Sequence, residues 1–185
     1  MITTCSCCEG EFADSEIRTH KYDTISQLCP ACYELVDSQS SSRSLEIQPM
    51  REKDLELVLA WRNNPRIYNN FAEQDEPIRW DNHVAWYEQR PADREDYIIR
   101  CNNRRVGVVS LDKNDFVSIY IGEQPLWGQG IASRALKWLI QRYSPSRPLY
   151  AEVHTENDRS EHLFKQCGFI QSDCKNEWAI YQYNS

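Results

Sequence analysis

Several absences narrow the possibilities before any motif is considered. No apolar run approaches the ~18 residues that a membrane-spanning helix needs, so no span is expected. Positive charge is not in excess: 21 Lys and Arg stand against 28 Asp and Glu, net −7. Broad nucleic-acid binding through a basic surface is therefore not expected. The stretch from Met1 to Glu9 has neither the basic segment nor the apolar core of a secretory leader, which points to a cytoplasmic protein. No internal repeat is visible. What is present, 41% hydrophobic and 26% charged residues over 185 positions, suits one folded domain with a small appendage.

Cysteine is distributed unevenly. Five of the eight fall in the first 32 residues. Cys5-x-x-Cys8 and Cys29-x-x-Cys32 form two pairs, each able to turn both sulfurs toward one ion. Two such pairs make a tetrahedral four-cysteine zinc site. Cys7 and His20 are spare candidates, and a redox pair or loose reactive thiols is the alternative. A segment this short buries too little core to fold unaided, so structural zinc would supply folding energy. The expected organisation is a zinc ribbon over residues 1–37, a polar linker at 38–44 and a main domain at 45–185. The ribbon could dock a protein partner or form a dimer. Its acidity, 7 acidic against 3 basic residues up to Arg43, argues against a nucleic-acid grip.

In the main domain, periodicity predicts strands at Leu45–Gln48, Tyr97–Arg100, Val106–Leu111, Phe116–Ile121, Pro148–His154, Phe169–Ser172 and Trp178–Tyr183. Helices are predicted at Asp54–Arg62, Trp80–Gln89, Ile131–Tyr143 and Asp158–Gln166. Asn63-Asn64-Pro65 should end the first helix and Gly168 the last. The order describes an α/β domain with a largely antiparallel first half.

The run Gln124-Pro125-Leu126-Trp127-Gly128-Gln129-Gly130-Ile131-Ala132 joins a strand to the longest helix. Its glycines allow a sharp turn, and the helix start leaves amides free for an anion such as a pyrophosphate. It is neither a Walker loop nor a dinucleotide-binding loop, because the required spacing fails.

Together with Asn157, Ser160, Phe164, Gly168 and Phe169, this run resembles the GCN5-related N-acetyltransferase (GNAT) family over residues 45–183. Gly130 and Ala132 fill the family's small positions, and Trp127 replaces its usual Arg or Gln. The resemblance implies the GNAT fold, a mixed, mostly antiparallel sheet with flanking helices. It implies acetyl-CoA in a V-shaped gap between strands 116–121 and 148–154. Main-chain groups of Tyr120 and Ile121 would pair with the pantetheine arm. Amides from Trp127 through Gly128, Gln129, Gly130 and Ile131 to Ala132 would hold the pyrophosphate, with Asn157 and Phe164 also at the cofactor.

Two positions depart from the family pattern. The strand residue that is a basic Glu in many relatives aligns with Phe116, after Asp115. The Tyr that protonates the leaving thiolate aligns with Phe164. Replacement bases to consider are His83, His154 and Glu152, then Glu123 and Tyr120, with His83 favoured. Glu123 reads as a solvated loop charge.

Trp61-Arg62-Asn63-Asn64-Pro65 and His83 resemble the nucleotide-amino-sugar N-acetyltransferases of pseudaminic-acid-type pathways. The ribosomal-protein-acetylating branch is also similar. The first resemblance implies an acceptor wall of Trp61, Arg62, Trp80, His83 and Trp86, with Arg62 holding a phosphate. The expected function is acetylation of a primary amine on a nucleotide-linked amino sugar. Alternatives are acetylation of protein N-termini or side chains, a different activated acyl donor, or a non-catalytic acyl-CoA-binding zinc-ribbon adaptor.

Overall fold

The structure is a computed structural model that describes residues 2–4, 10–20, 23–28, 30 and 44–184. Cys5, Cys8, Cys29 and Cys32, expected to bind zinc, lie outside the described residues, as do positions 38–43 of the expected linker. Near the N-terminus the described residues form two antiparallel strand pairs, β1 (Ile2–Thr4) with β2 (Glu11–Ala13), and β3 (Arg18–His20) with β4 (Asp23–Leu28).

The main domain begins with β5 (Leu45–Pro49). Helices α1 (Leu55–Arg62), α2 (Pro65–Tyr68) and α3 (Trp80–Glu88) follow. Next come β6 (Glu95–Cys101), β7 (Arg104–Leu111) and β8 (Val117–Ile121). The chain then forms α4 (Ile131–Tyr143), β9 (Leu149–His154) and α5 (Asp158–Gln166), and closes with β10 (Ile170–Lys175) and β11 (Trp178–Tyr183).

The β6–β7 turn is made by Asn102 and Asn103, both at positive φ (48° and 63°). Paired positive-φ residues match the twist of a two-residue hairpin, and asparagine tolerates that region. Pro65 behaves differently from its predicted role as a terminator. Asn64 accepts a hydrogen bond from the Arg66 N–H, and Pro65 opens a one-turn helix. Proline fits there because the first helical N–H has no partner to lose. Phe116, expected in a strand, makes only an isolated bridge, and β8 starts one residue later.

Strands β5-β6-β7-β8 form one antiparallel sheet, and β10-β11-β9 form another. The two touch through a single parallel bridge, Phe116 with Tyr150, reinforced by the Tyr150 N–H on the Asp115 carbonyl at 2.9 Å. Beyond it β8 and β9 share no ladder, so the sheet opens between them.

Alternation along the strands separates two apolar layers. Ile99, Val109, Leu111, Val117, Leu149 and Ala151 pack with Ala135, Leu136 and Leu139 of α4. Ile98 and Val108 face the other way, onto Leu55, Val58 and Trp61 of α1. Both faces of the first sheet are therefore covered, and the opening between β8 and β9 is the natural place for a ligand.

Candidate active site

The Trp127–Ala132 segment crosses the wide end of that opening. Gly128 and Gly130 both hold positive φ (73° and 75°), and a Cβ on either would meet nothing within 4 Å. Glycine is needed for the backbone conformation, and the space above it stays free. Gly130 caps α4 without a side-chain bond, and the first turn of α4 carries no acidic residue. A 13-residue helix thus presents its N-terminal amides and positive dipole end at the mouth of the gap.

The loop is braced from several sides. Trp127 donates from its indole Nε1 to the Ile121 carbonyl at 2.7 Å, and Arg159 of α5 lies over its ring at 5.3 Å. Gln129 donates to the Pro125 carbonyl at 2.6 Å. Ile131 is buried in the core and Ala132 is half-buried. Asn157 caps α5 by accepting from the Ser160 N–H at 3.1 Å. Arg159 escaped the sequence reading, since nothing in its spacing links α5 to Trp127.

The ladder fixes which main-chain groups border the gap. The Gly122 N–H bonds the Val106 carbonyl at 2.8 Å, and Tyr120 pairs with Val108. Bonded pairs alternate along an antiparallel ladder. The peptide groups of Tyr120 therefore point at β7, while those of Ile119 and Ile121 point at the opening. The peptide groups of Tyr120, expected to pair with the pantetheine, are thus turned to β7, and those of Ile119 and Ile121 border the opening.

The side chain of Tyr120 faces the helical wall, edge-on to Phe71 (5.8 Å) and Trp61 (6.5 Å). Desolvation pushes its phenol above the ordinary value, with the nearby Arg62 guanidinium opposing.

The Trp-Arg-Asn-Asn-Pro run turns out to be largely committed to local structure. Trp61 is buried against Gly122, where a Cβ would lie 2.2 Å from the indole, and its Nε1 donates to Glu123 at 3.2 Å. Its ring therefore offers no open face to a ligand, and Glu123 is a bonded acceptor rather than a free loop charge. Arg62 donates from Nε to Gln74 at 2.8 Å and lies over the Phe71 ring at 4.1 Å. Burial holds its guanidinium below the ordinary value, against the opposing influence of Tyr120 and Glu73. Asn63 bonds both the N–H and the carbonyl of Ile78, at 2.7 and 2.9 Å.

The candidate bases separate clearly. His83 is only 3% exposed and stacks on Trp86 at 5.3 Å; its Nε2 is buried with no hydrogen-bond partner. The imidazole, expected on the acceptor wall, is thus closed off from solvent by its neighbours. Of the other expected wall residues, Trp80 is 49% and Trp86 37% exposed, and Trp86 stacks on His83 with the Arg94 guanidinium 5.4 Å from its ring. His154 ends β9 with Nδ1 accepting from the Glu156 N–H at 3.2 Å and its ring edge-on to Trp178. Glu152 is exposed. It lies two residues beyond the Phe116–Tyr150 bridge, as Ser118 does on β8, so both sit where the strands part. Asp115 is held by Arg147 at 2.8 Å, and Phe164 is buried edge-on to Phe169.

Burial lowers the His83 pKa from 6.5, Arg62 adds to the effect, and a bond to the main chain of Leu55 opposes it. The unfolded chain then binds this proton first as pH falls, so stability is complete above the unfolded value of about 6.5 and declines below it. His83→Gln is expected to lose less melting temperature than the natural chain between about pH 7.5 and about pH 5.5. Parallel thermal melts at the two pH values check this, and equal losses would refute it.

Among the described residues, no group of three or more His, Cys, Asp or Glu could hold a metal ion, and no helix is long and apolar enough to cross a membrane.

Comparison with known proteins agrees with this geometry. Residues 44–170 match the family described as acetyltransferase (GNAT) domain. An uncharacterized protein of Methanocaldococcus jannaschii is 39% identical over 152 residues, covering 75% of this chain, while the chain spans only 31% of that relative. A crystallised domain from the same organism superposes with a TM-score of 0.73 at 32% identity, covering 78% of this chain and all of that one. The spermidine N-acetyltransferase of Vibrio cholerae, solved with CoA and spermine, superposes with a TM-score of 0.65 at 16% identity, covering 75% and 92% of the two chains.

Proposed function

This chain belongs to the acetyltransferase (GNAT) domain family, and from that premise we propose that it transfers the acetyl group of acetyl-CoA to a primary amine. The observation that carries the reading is the uncapped, acid-free start of α4 behind two positive-φ glycines, at the mouth of the gap between β8 and β9. The pyrophosphate rests on the amides of residues 128–132, with Arg159 beside them. The pantetheine runs along the outward carbonyl of Ile119 and the N–H of Ile121, near Asn157.

The amine nitrogen attacks the thioester carbonyl carbon. The developing oxyanion takes a hydrogen bond from the Ile119 main-chain N–H on the open edge of β8. Glu152, through a water, accepts the amine proton, with His154 the second candidate. The C–S bond breaks, and CoA leaves as a thiolate. Phe164 has no hydroxyl, so the thiolate leaves without an acid and afterwards takes up, through solvent, the proton that the amine gave to Glu152. A thiol pKa near ~8.5 makes the thiolate a stable leaving group that needs no proton at the moment of cleavage.

For the acceptor, the proposal is an amino sugar carrying a nucleotide. Its support is the half-buried Arg62 beside Phe71 and Tyr120, which suits a phosphate, and the exposed Trp80, which suits a sugar or base face. The test is thiol release from acetyl-CoA with nucleotide-linked amino sugars, spermidine and peptide N-termini as acceptors. Turnover with a polyamine or peptide alone would replace the sugar reading. No thiol release with any amine, despite CoA binding, would favour an acyl-CoA-binding adaptor.

The four-thiolate zinc site is likewise proposed, on the spacing of Cys5, Cys8, Cys29 and Cys32. The purified chain is expected to carry about one zinc and Cys29→Ser to release it, since losing one thiolate removes much of the affinity. Metal analysis together with mass spectrometry checks this, and disulfides in place of metal would end it.

A further inference from the structure

The segment from residue 61 to residue 79 is stitched into one unit. Gln74, buried, accepts from Arg62 Nε and donates back to the Arg62 carbonyl at 2.9 Å and to the Glu76 carbonyl at 3.2 Å. Asn63 clamps Ile78 through both of its amide atoms. Asn64 caps α2, a four-residue helix too short to hold itself without tertiary support.

This unit is tied twice to the start of the strand-to-helix turn. Trp61 Nε1 donates to Glu123 at 3.2 Å, and Arg66 Nη1 donates to Gln124 at 2.8 Å. Glu123 and Gln124 are consecutive and open the turn that leads through Trp127 to the two glycines. Just upstream, Gly122 leaves room for the Trp61 ring, and the Ile121 carbonyl is held by Trp127. Two indoles thus bracket the end of β8, one reaching from the acceptor wall and one from the cofactor loop.

We propose that Glu123 and Gln124 couple the two binding regions. CoA bound on the turn fixes these two residues, and their bonds to Trp61 and Arg66 order the wall at 61–79 against which the amine must sit. Glu123 is then a positioning residue, acting through Trp61 and touching neither cofactor nor substrate. The physical basis is local stability: two of the ties that hold this segment run to Glu123 and Gln124, and a segment opens less when its anchor is immobilised. The inference rests on the cofactor reading above.

The experiment is hydrogen–deuterium exchange on the full chain, with and without saturating CoA, alongside calorimetry of CoA binding. In the natural chain, CoA is expected to slow exchange of peptides covering 61–79 by about ten-fold. Glu123→Gln should retain the effect, because an amide oxygen can still accept the indole proton. Glu123→Leu combined with Gln124→Leu should abolish it while CoA still binds within about three-fold of normal, as neither side chain meets the cofactor. Circular dichroism confirms that each variant is folded. Protection that persists in the double variant overturns the coupling, as does CoA binding to the natural chain without protection of 61–79. Failure of CoA to bind the natural chain overturns the cofactor reading itself, and the coupling with it.

Discussion

Gly130→Val is expected to lower the affinity for CoA by about 100-fold or more while leaving the chain folded. Charge-assisted hydrogen bonds to a phosphate contribute about 1.5–3 kcal/mol each, so losing two of them gives a change of this size. The loss has two causes. A Cβ at residue 130 projects into space that is open in the protein and that the pyrophosphate would fill. Valine also resists the positive φ of 75°, which tilts the first amides of α4 away from their common target. Because no protein atom lies within 4 Å of that Cβ, the cost to the fold is the backbone strain alone, on the order of 1–2 kcal/mol. Calorimetry with CoA and a thermal melt separate the two effects. Unchanged affinity would remove the turn from the cofactor site.

Glu152→Gln is expected to reduce turnover at neutral pH by about 10²–10⁴-fold, the usual contribution of a general base. An alkylammonium has a pKa near ~10, so the proton on the amine is the harder one to move. The defect should shrink at high pH, where the free amine is already abundant. His83→Gln should stay within a few-fold of normal, since the imidazole is walled off by α3 and its neighbours. Phe164→Tyr should change the rate little, because the family's acid is not what limits release of a weakly basic thiolate. Thiol release against pH, with an amine that the chain accepts, reads all three. A near-normal Glu152→Gln beside a crippled His154→Gln would move the base to His154. If both retain turnover, the protein selects free amine from solution.

Periodicity located elements because the forces that set it are local. Ile131–Tyr143, Asp158–Gln166 and Trp178–Tyr183 fall where it put them, since each buries one face and ends at a residue that suits an end. The α2 turn escaped notice because four residues carry no period, and Pro65 reads equally well as a stop or a start. The two glycines and the following helix were legible because a strand-to-helix turn is made of consecutive residues.

The amino-acid sequence by itself determined the α/β order and the two-glycine turn that opens the longest helix. Only the tertiary structure decided what the neighbouring side chains are free to do. His83 and Trp61 look like ligand contacts in a linear reading, yet packing against Trp86 and Gly122 buries them. Glu123 looks like a solvated charge, yet a tryptophan 62 positions away donates to it. The opening between β8 and β9 depends on strands that meet at one bridge and then part. That divergence comes from pairing across the chain, which local propensity does not encode.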